Sequence, residues 1–398
     1  MNPLRWLSSL LRTEQQPRKT ESFYGLDHAI LNVPFPPPSM WMNMGYWEST
    51  TDFPTACAAL LDQVLITAGL LDAKDGGGGP VSHPPNKVFR MLDVGIGCGD
   101  QSVRVLGYKR RGKSNGTGTR TGTGTEGRKG DQEGLRPLFE EYVGITSLPV
   151  QAEFAARRVA LFQEGDEGAV CSGFDEKEGS EGAEPKSRAQ IFCADAAKPS
   201  SWGAEIHASL ETYKYTRRDD SPDSADDPLT EENNQPQPST DRSSQPEDKP
   251  ESETYLLALD TLYHFTPSRT PLLTYTKHSL NSTLLAFDLL LPSTPLPLLT
   301  RLCLRLLCLL TGTPYSNFLT ESQYRSLLIN AGYEAASIEF HDISAHVFPG
   351  IARFMARRVR EARMFGMGRG VGKYRGAGKV FAWWATGVVR GVVVVARA

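Results

Sequence analysis

The stretch V-F-R-M-L-D-V-G-I-G-C-G-D-Q-S, residues Val88 to Ser102, joins an apolar segment to a glycine turn. Its apolar residues up to Val94 predict a buried parallel strand. Gly95, Gly97 and Gly99 let the backbone approach a ligand closely, at the point where the N-terminus of a following helix would carry partial positive charge. The stretch therefore predicts a strand, a turn and a helix around a nucleotide-like cofactor.

One carboxylate, Asp93, lies near the end of this strand, and the third glycine follows the second after a single residue. A dinucleotide-binding turn has the spacing Gly-x-Gly-x-x-Gly and normally an apolar residue in place of Asp93. A carboxylate at this position can face an ammonium group, directly or through water. This combination favours S-adenosylmethionine, and the segment resembles motif I of the class I S-adenosylmethionine-dependent methyltransferases.

A second apolar strand runs through Y-V-G-I-T-S-L-P-V-Q, residues Tyr142 to Gln151, and continues into a helical pattern. It resembles the second strand of the methyltransferases near the cyclopropane-fatty-acid synthases and tocopherol methyltransferases. That resemblance implies that Thr146 and Gln151 contact the ribose of the cofactor. The alternative is an ordinary strand whose threonine caps the following helix.

Two further strands end in polar residues. In Q-I-F-C-A-D-A the resemblance implies that Asp195 accepts a hydrogen bond from the adenine amino group and that Ala196 donates its backbone N–H to the ring. In T-Y-L-L-A-L-D-T-L-Y-H the resemblance places Asp260 at the cofactor and Tyr263 and His264 at the reaction centre. We expect His264 to act as a base or to orient the acceptor, because histidine titrates near neutral pH. The alternatives are an aspartate that caps a turn and a histidine that packs beside its aromatic neighbours.

The segment W-M-N-M-G-Y-W-E-S-T, residues 41–50, resembles the N-terminal segment that closes over the cofactor in the same relatives. We expect Tyr46, and beside it Trp47, to stack on the sulfonium, since a cation over an aromatic face is favourable by about 1 kcal/mol. The alternative for both rings is packing for buried area.

The resemblance implies an α/β fold: a doubly wound, Rossmann-like methyltransferase sheet of seven mostly parallel strands with an antiparallel last strand. The β-branched run at 391–396 is expected to be that last strand, paired with residues 336–344. The implied reaction is methyl transfer to a small-molecule acceptor that is hydrophobic or lipid-like. The apolar stretch at 295–310 either walls a pocket for such an acceptor or packs on the sheet.

Composition divides the chain of 398 residues into a tail and one domain. Residues 1–40 form a basic, amphipathic N-terminal segment, and residues 41–398 form a single methyltransferase domain. Three Gly-, Thr-, Glu- or Pro-rich stretches, 107–137, 164–189 and 211–254, have the composition of disordered inserts. Long surface insertions add little loop-closure entropy, so we expect them to leave the core intact.

Charge and cysteine content limit the partners. The formal net charge of −3 gives no case for nucleic acid. Residues 353–384 are basic and aromatic, which predicts peripheral contact with an anionic membrane; a solvated helix with a glycine-rich linker is the alternative. The six cysteines and seven histidines show no zinc spacing, so no metal is expected. We expect a cytoplasmic protein, although the N-terminus leaves a mitochondrial presequence open.

Two other classes of function remain open at this stage. A nicotinamide-dependent oxidoreductase would need an acidic residue after the second strand to bind the ribose, and residues 144–151 offer none. A non-catalytic methyltransferase-like protein would keep the fold without the cofactor. The intact set of cofactor-type residues argues against that second class.

Overall fold

The computed structural model describes residues 37–72, 87–111, 135–165, 186–211, 251–368 and 371–398. In these ranges the α-helices are α1 (Phe53–Thr67), α2 (Asp100–Gly107), α3 (Pro149–Glu164), α4 (Ala204–Glu211), α5 (Thr270–Leu280), α6 (Leu298–Thr311), α7 (Glu321–Asn330), α8 (Ser344–Met364) and α9 (Gly372–Trp383). The strands are β1 (Lys87–Val94), β2 (Lys109–Arg111), β3 (Leu135–Pro137), β4 (Glu141–Thr146), β5 (Arg188–Cys193), β6 (Glu251–Leu259), β7 (Thr283–Leu291), β8 (Leu319–Thr320), β9 (Ile338–Asp342) and β10 (Arg390–Ala396).

Seven strands form one sheet in the order β5-β4-β1-β6-β7-β10-β9, with the two-residue β8 paired to β7. The pairs from β5 to β7 are parallel. Strand β10 runs antiparallel to both neighbours, with Val394 opposite Ala286 of β7 and Phe340 of β9. The predicted doubly wound, Rossmann-like sheet with an antiparallel last strand is confirmed, as is the pairing of that strand with residues 336–344.

The sheet separates two hydrophobic layers. One layer contains α1, α2, α3, α6, α8 and α9, and the other contains α4, α5 and α7. The central strand β7, T-L-L-A-F-D-L-L-L, is buried from Thr283 to Leu290. A nearly continuous apolar run is what a parallel strand covered on both faces requires. Because strands β1, β4, β5 and β6 point the same way, their carboxyl ends meet along one edge of the sheet.

The interiors of the three predicted inserts lie outside the described residues, but their edges are structured. Residues 109–111 and 135–137, both inside the predicted 107–137 stretch, pair as the antiparallel ribbon β2–β3. The side chain of Arg110 is fully buried; it forms an ion pair with Glu140 and covers the ring of Phe89. A basic residue that composition assigned to solvent is therefore part of the packed domain. Likewise β5 begins at Arg188 and β6 at Glu251, inside the other two predicted inserts.

The basic segment 353–384 contains the C-terminal part of α8 and all of α9. The helices are interrupted between Met364 and Gly372, within the glycine-rich stretch expected to break a helix. Gly378 lies inside α9, however, and a Cβ there would lie 3.2 Å from Cβ of Met355. The missing side chain lets α9 approach α8, so tertiary packing overrides the low helix propensity of glycine. In the described ranges, no helix combines the length and the apolarity that a membrane span needs.

Helix α6 corresponds to the apolar stretch at 295–310. Its inner face, with Cys303, Leu304 and Cys308, is buried in the core. Its outer face exposes leucines, of which Leu309 is 78% exposed. The alternative in which this segment packs on the folded domain is the one observed.

Candidate functional site

A cavity of about 570 Å³ lies at the edge of the sheet where β1, β4, β5 and β6 end. Its volume is in the range of small-molecule sites. The lining comes from the turn after each of these strands and from residues 40–43. These four residues belong to the irregular segment 40–51 before α1, which we call the strap. In an open α/β sheet, ligands bind outside the carboxyl ends of the strands, so this cavity occupies the expected place.

The glycine turn after β1 forms one wall. Gly95 has a φ of +78°, and a Cβ there would lie 2.8 Å from Cβ of Thr261 at the end of β6. Gly97 has a φ of +57°, and a Cβ there would meet no atom within 4 Å, because it would project into the cavity. Gly99 is not part of the lining; a Cβ there would lie 2.8 Å from Cα of Ala155 in α3. Two of the three glycines thus shape the cavity, and the third permits close packing of two helices.

Asp93 is fully buried behind this wall and does not line the cavity. Its Oδ1 accepts a hydrogen bond from Nε2 of Gln101 at 2.6 Å, and its Oδ2 accepts one from the hydroxyl of Tyr142 at 2.7 Å. Burial raises the pKa of Asp93 to about 7. The sequence predicted that Asp93 faces an ammonium group directly or through water. In the structure both of its oxygens accept from protein donors, and of these two donors Gln101 lines the cavity.

Thr146 and Gln151 come together at the end of β4. The hydroxyl of Thr146 donates to Oε1 of Gln151 at 3.0 Å, and both residues line the cavity. Thr146 does not cap α3, whose first turn has no side-chain cap and begins with Pro149. Proline is favoured there because its missing N–H would be unpaired in any case. The pair is therefore held by its own hydrogen bond, and Nε2 of Gln151 also donates to Sδ of Met42 at 3.8 Å.

Asp195 and Ala196 form a turn after β5. Oδ1 of Asp195 accepts from the backbone N–H of Ala197 at 3.0 Å, and Oδ2 pairs with Nζ of Lys198 at 2.8 Å. Asp195 thus caps its turn, as the alternative predicted, and still lines the cavity. No described residue accepts a hydrogen bond from the backbone N–H of Ala196, which also lines the cavity. A ligand with a ring nitrogen acceptor can use that donor.

Asp260 directly follows β6 and has a φ of +59°, in the left-handed region that non-glycine residues rarely adopt. Its Oδ1 accepts from the hydroxyl of Tyr263 at 2.9 Å, and its Oδ2 accepts from the backbone N–H of Met44 at 2.9 Å. Desolvation raises the pKa of Asp260 to about 7. A carboxylate whose pKa is raised in this way favours a cationic neighbour, because a positive charge offsets the cost of ionising it.

His264 ends the short 3₁₀ turn Leu262–His264, which begins two residues after Asp260, and lines the cavity. Its ring lies 4.2 Å from that of Tyr263, centroid to centroid. No hydrogen bond joins its imidazole to a described residue, and desolvation lowers its pKa. The ring nitrogens are therefore not engaged by the described protein, as a general base requires.

A buried polar cluster holds the turn that carries Tyr263 and His264. Nδ2 of Asn317 donates to the carbonyls of Tyr263 at 3.1 Å and Phe265 at 2.7 Å. Arg269 in turn donates to the Asn317 carbonyl and forms a buried ion pair with Asp288. These contacts fix the backbone at the end of β6, so the side chains at the cavity are placed by a rigid support.

The strap residues that line the cavity differ from those that the sequence predicted. Met40, Trp41, Met42 and Asn43 line the cavity, whereas Tyr46 does not. The hydroxyl of Tyr46 donates to Glu48, and its ring lies 5.0 Å from that of His346. Trp47 is buried and packs on Phe354. The expected stacking of Tyr46 on a sulfonium is therefore not supported; the aromatic residue of the strap at the cavity is Trp41.

Asp100, directly after the glycine turn, is a site residue that the motif analysis missed. Both of its carboxylate oxygens accept from the backbone N–H of Met40 at 3.1 Å. Oδ2 also accepts from Nη1 of Arg158 at 2.8 Å. The sequence signal for it was a second acidic residue in the stretch Val88 to Ser102, but its partner in the strap, Met40, is sixty positions away in sequence. In the described ranges no group of His, Cys, Asp or Glu is arranged to hold a metal ion.

The sequence matches no protein-family model and no curated protein. Solved structures similar to the chain include the cyclopropane synthase MmaA2 from Mycobacterium tuberculosis, at 12% identity over 97% of this chain and 100% of that one, with a TM-score of 0.44. A putative sarcosine dimethylglycine methyltransferase from Galdieria sulphuraria aligns at 11% identity over 94% and 98%, with a TM-score of 0.44. The [4+2]-cyclase SpnF aligns at 17% identity over 95% of each chain, with a TM-score of 0.43.

These names include the cyclopropane synthases and methyltransferases that the strand ends resemble. Because the identities are low and the TM-scores are below 0.5, they carry no argument about activity. The evidence for the fold is the strand order itself, and the evidence for the site is the cavity at its carboxyl edge.

Proposed function

We propose that the protein is an S-adenosylmethionine-dependent methyltransferase acting on a small, apolar acceptor. The observation that carries the proposal is that one cavity collects the ends of four strands in the order expected for this cofactor. The glycine turn at Gly97, the Thr146–Gln151 pair, the Asp195–Ala196 turn and Asp260 all line it. Four separate segments, spread over more than 160 positions, meet at one place.

The residues present fit the cofactor on structural grounds. Open space beside Gly97 leaves room for the methionine moiety, and Gln101, oriented by Asp93, borders the same space. The Thr146–Gln151 pair would hold the ribose. The backbone N–H of Ala196 would donate to the adenine ring, and the carboxylate of Asp195 would accept from the adenine amino group.

The bound cofactor would supply a methyl group activated by a positively charged sulfur. Displacement at such a carbon needs little covalent help, so the work of the chain is to position the acceptor, exclude water and accept a proton. The strap, tied to Asp100 and Asp260, would cover the cavity. His264 would take the proton from an acceptor that carries one.

An apolar acceptor is favoured by the apolar and aromatic side chains in the lining of the cavity. Trp41, Met42 and Phe265 line it together with Tyr263 and His264. Large apolar and aromatic groups stabilise an acceptor mainly through buried area. Helix α6 is not part of this lining, so the earlier suggestion that it walls the acceptor pocket is replaced by these residues of the strap and the 3₁₀ turn.

The other functional classes are less consistent with this site. A nicotinamide cofactor would need an acid at the end of β4, where the cavity instead has Thr146, Ser147 and Gln151. A non-catalytic scaffold would not need an open cavity with an available backbone donor and an imidazole without a protein partner.

Calorimetric titration tests the proposal directly. We expect saturable binding of S-adenosylhomocysteine and no binding of NAD⁺. The double variant Thr146→Val/Gln151→Leu should weaken binding about tenfold, since it removes the polar groups proposed to face the ribose. Thr320 and Gln323 hydrogen-bond to each other's backbone at the start of α7, outside the lining, so Thr320→Val/Gln323→Leu is the matched control and should bind normally. Binding of NAD⁺ in preference to S-adenosylhomocysteine would reject the proposal.

A further inference from the structure

A second cavity, of about 360 Å³, lies between the end of the strap and α8 and shares no lining residue with the first. One wall is the end of the strap, Trp47, Thr50 and Thr51, and the other is α8 from Gly350 to Arg360. A Cβ at Gly350 would lie 2.6 Å from Cδ1 of Trp47. The glycine therefore allows the indole to pack directly on α8, and this close packing forms the floor of the cavity.

Three arginines of α8 line this cavity: Arg353, Arg357 and Arg360. They are spaced four and three positions apart, which places them on one face of the helix. Arg357 donates to the carbonyl of Thr51 at 2.7 Å and lies 3.6 Å from Glu361. Arg353 and Arg360 form no ion pair or hydrogen bond with the described residues. The cavity therefore has a surplus of positive charge.

The floor between the arginines is aromatic. The ring of Phe354 lies 5.3 Å from that of Trp47 and stacks on Phe53 at 5.2 Å and an interplanar angle of 14°. The guanidinium of Arg357 lies 5.4 Å from the centroid of Phe354. Weakly hydrated guanidinium groups held over aromatic faces keep their donors oriented, which lowers the entropy lost when they bind an anion.

A third cavity, of about 800 Å³, adjoins the second and shares Phe354 with it. It runs between α8 and α9, and its lining is mainly apolar, with Met355, Val359, Phe365 and Val371 among its residues. Arg358 also lines it, and its guanidinium lies 5.9 Å from the Phe354 ring centroid. An arginine-lined cavity and an apolar groove thus meet at one phenylalanine.

We propose that these two cavities form a binding site for an anionic phospholipid. The phosphate would bind Arg353, Arg357 and Arg360, whose planar guanidinium groups can each donate two parallel hydrogen bonds to phosphate oxygens. An acyl chain would lie along the apolar groove between α8 and α9. The charge of the arginine cavity identifies the headgroup as anionic, and the adjoining groove distinguishes a lipid from a free phosphate. The site is independent of the proposed methyl transfer, because it shares no lining residue with the cofactor cavity.

The test compares three probes on the full chain: inorganic phosphate, a short-chain phosphatidylglycerol dispersed below its micelle concentration, and vesicles. We expect the dispersed lipid to bind at least about tenfold more tightly than phosphate, because the acyl chain adds buried apolar area. Vesicles of phosphatidylcholine mixed with phosphatidylglycerol should sediment the protein, and vesicles of phosphatidylcholine alone should not. Binding to mixed vesicles without binding to the dispersed lipid would mean surface adsorption and would overturn the proposal, as would equal affinity for phosphate and lipid.

Two variants separate the halves of the site. Arg353→Gln/Arg357→Gln/Arg360→Gln should weaken lipid binding at least about tenfold, as loss of charge-assisted hydrogen bonds implies. Ala362→Trp, which fills the groove, should weaken binding of the lipid and leave that of phosphate unchanged. If the triple variant does not fold, the exposed Arg353→Gln and Arg360→Gln single variants replace it.

The control for total charge is Arg157→Gln/Arg188→Gln/Arg301→Gln, which removes three arginines that line neither cavity. This control should bind the lipid within about twofold of the parent, because screened charges at a distance contribute little at physiological salt. A loss as large as that of the α8 triple variant would show that only net charge matters and would overturn the site.

Discussion

The backbone N–H of Met44 donates to Oδ2 of Asp260 at 2.9 Å, although 216 positions separate the two residues. Oδ1 of the same carboxyl accepts from Tyr263, so one side chain joins the strap to the turn that carries His264. Asp260 adopts a left-handed backbone conformation with a φ of +59°. Backbone strain of this kind costs about 1–3 kcal/mol and is retained mostly at functional sites.

The raised pKa of Asp260 predicts how stability depends on pH. Desolvation raises this pKa to about 7 in the folded protein, from about 3.9 in an unfolded chain. Between those values the folded state binds more protons than the unfolded state, so the free energy of unfolding falls as pH rises. The contribution is fully present below about pH 4 and is lost as pH passes about 7.

Asp260→Asn should therefore flatten the decline of the free energy of unfolding over this pH range, as measured by urea titrations at steps of pH. Asp52→Asn is a control in which the pKa shift has the opposite direction, because hydrogen bonds from Thr55 lower the pKa of Asp52. Its effect should be confined to acidic pH, where the wild-type carboxylate becomes protonated. An unchanged slope in Asp260→Asn would contradict the assignment of this titration to Asp260.

The same titration should govern the affinity for S-adenosylmethionine. A ligand that carries a sulfonium and an ammonium group favours the ionised form of Asp260, so affinity should rise with pH as the proton is released. For a pKa of about 7, linkage gives an increase of about tenfold between pH 6 and pH 8. Calorimetry at these two pH values measures it, and Asp260→Asn should show no such rise.

Gly97→Val should abolish binding of S-adenosylhomocysteine, because the added side chain projects into the cavity. Gly312→Val is a matched control: Gly312 has a φ of +70° and open space around it, and it lies at the end of α6 outside the lining. Both variants should lose about 1–2 kcal/mol of stability from strain at positive φ. Only the change at Gly97 should remove binding, and normal calorimetric affinity in a folded Gly97→Val protein would contradict the site.

Replacing residues 112–134 and 212–250 by short Gly-Ser linkers should preserve the fold and the cofactor affinity. Their low apolar content gives them little surface to bury in a core. The first linker must close the antiparallel ribbon in which Arg111 is opposite Leu135, so a few residues suffice. A cooperative thermal transition and an unchanged dissociation constant for S-adenosylhomocysteine are the expected results. Loss of the transition would show that these segments contribute to the core.

The parts of the site that could be predicted are those coded by a strand and the turn directly after it. Gly97, Thr146, Asp195 and His264 each follow an apolar strand that the sequence identifies, and parallel strand ends must meet at one edge. No contact between distant segments is needed to place them. The doubly wound sheet with an antiparallel last strand could be predicted from the resemblance in these local motifs.

What could not be predicted depends on contacts between distant segments. The strap presents Trp41 rather than Tyr46 because Asp100 and Asp260 bind the backbone of Met40 and Met44. The hydrophobic periodicity and the composition of the sequence do not reveal such hydrogen bonds. Asp93 is buried behind the lining of the cavity, where its oxygens accept from the hydroxyl of Tyr142 and the amide of Gln101. These two donors could not be assigned to it from the sequence.

The role of His264 can be decided by comparing rate with stability. If its imidazole accepts a proton from the acceptor, His264→Ala should lower turnover by roughly 100-fold or more while changing affinity for S-adenosylhomocysteine by only a few-fold. Turnover of the wild-type protein should also fall on the acid side as the ring becomes protonated, at a pH below the ordinary histidine value because desolvation lowers this pKa. The assay can follow formation of S-adenosylhomocysteine by slow hydrolysis or with a promiscuous acceptor.

His264→Gln, which keeps a polar side chain without a base, should lose the same activity and the same fall of turnover on the acid side. If the ring instead only packs against Tyr263, both variants should lose thermal stability and retain the rate per folded molecule. That outcome would leave positioning and exclusion of water as the chain's contributions to the reaction.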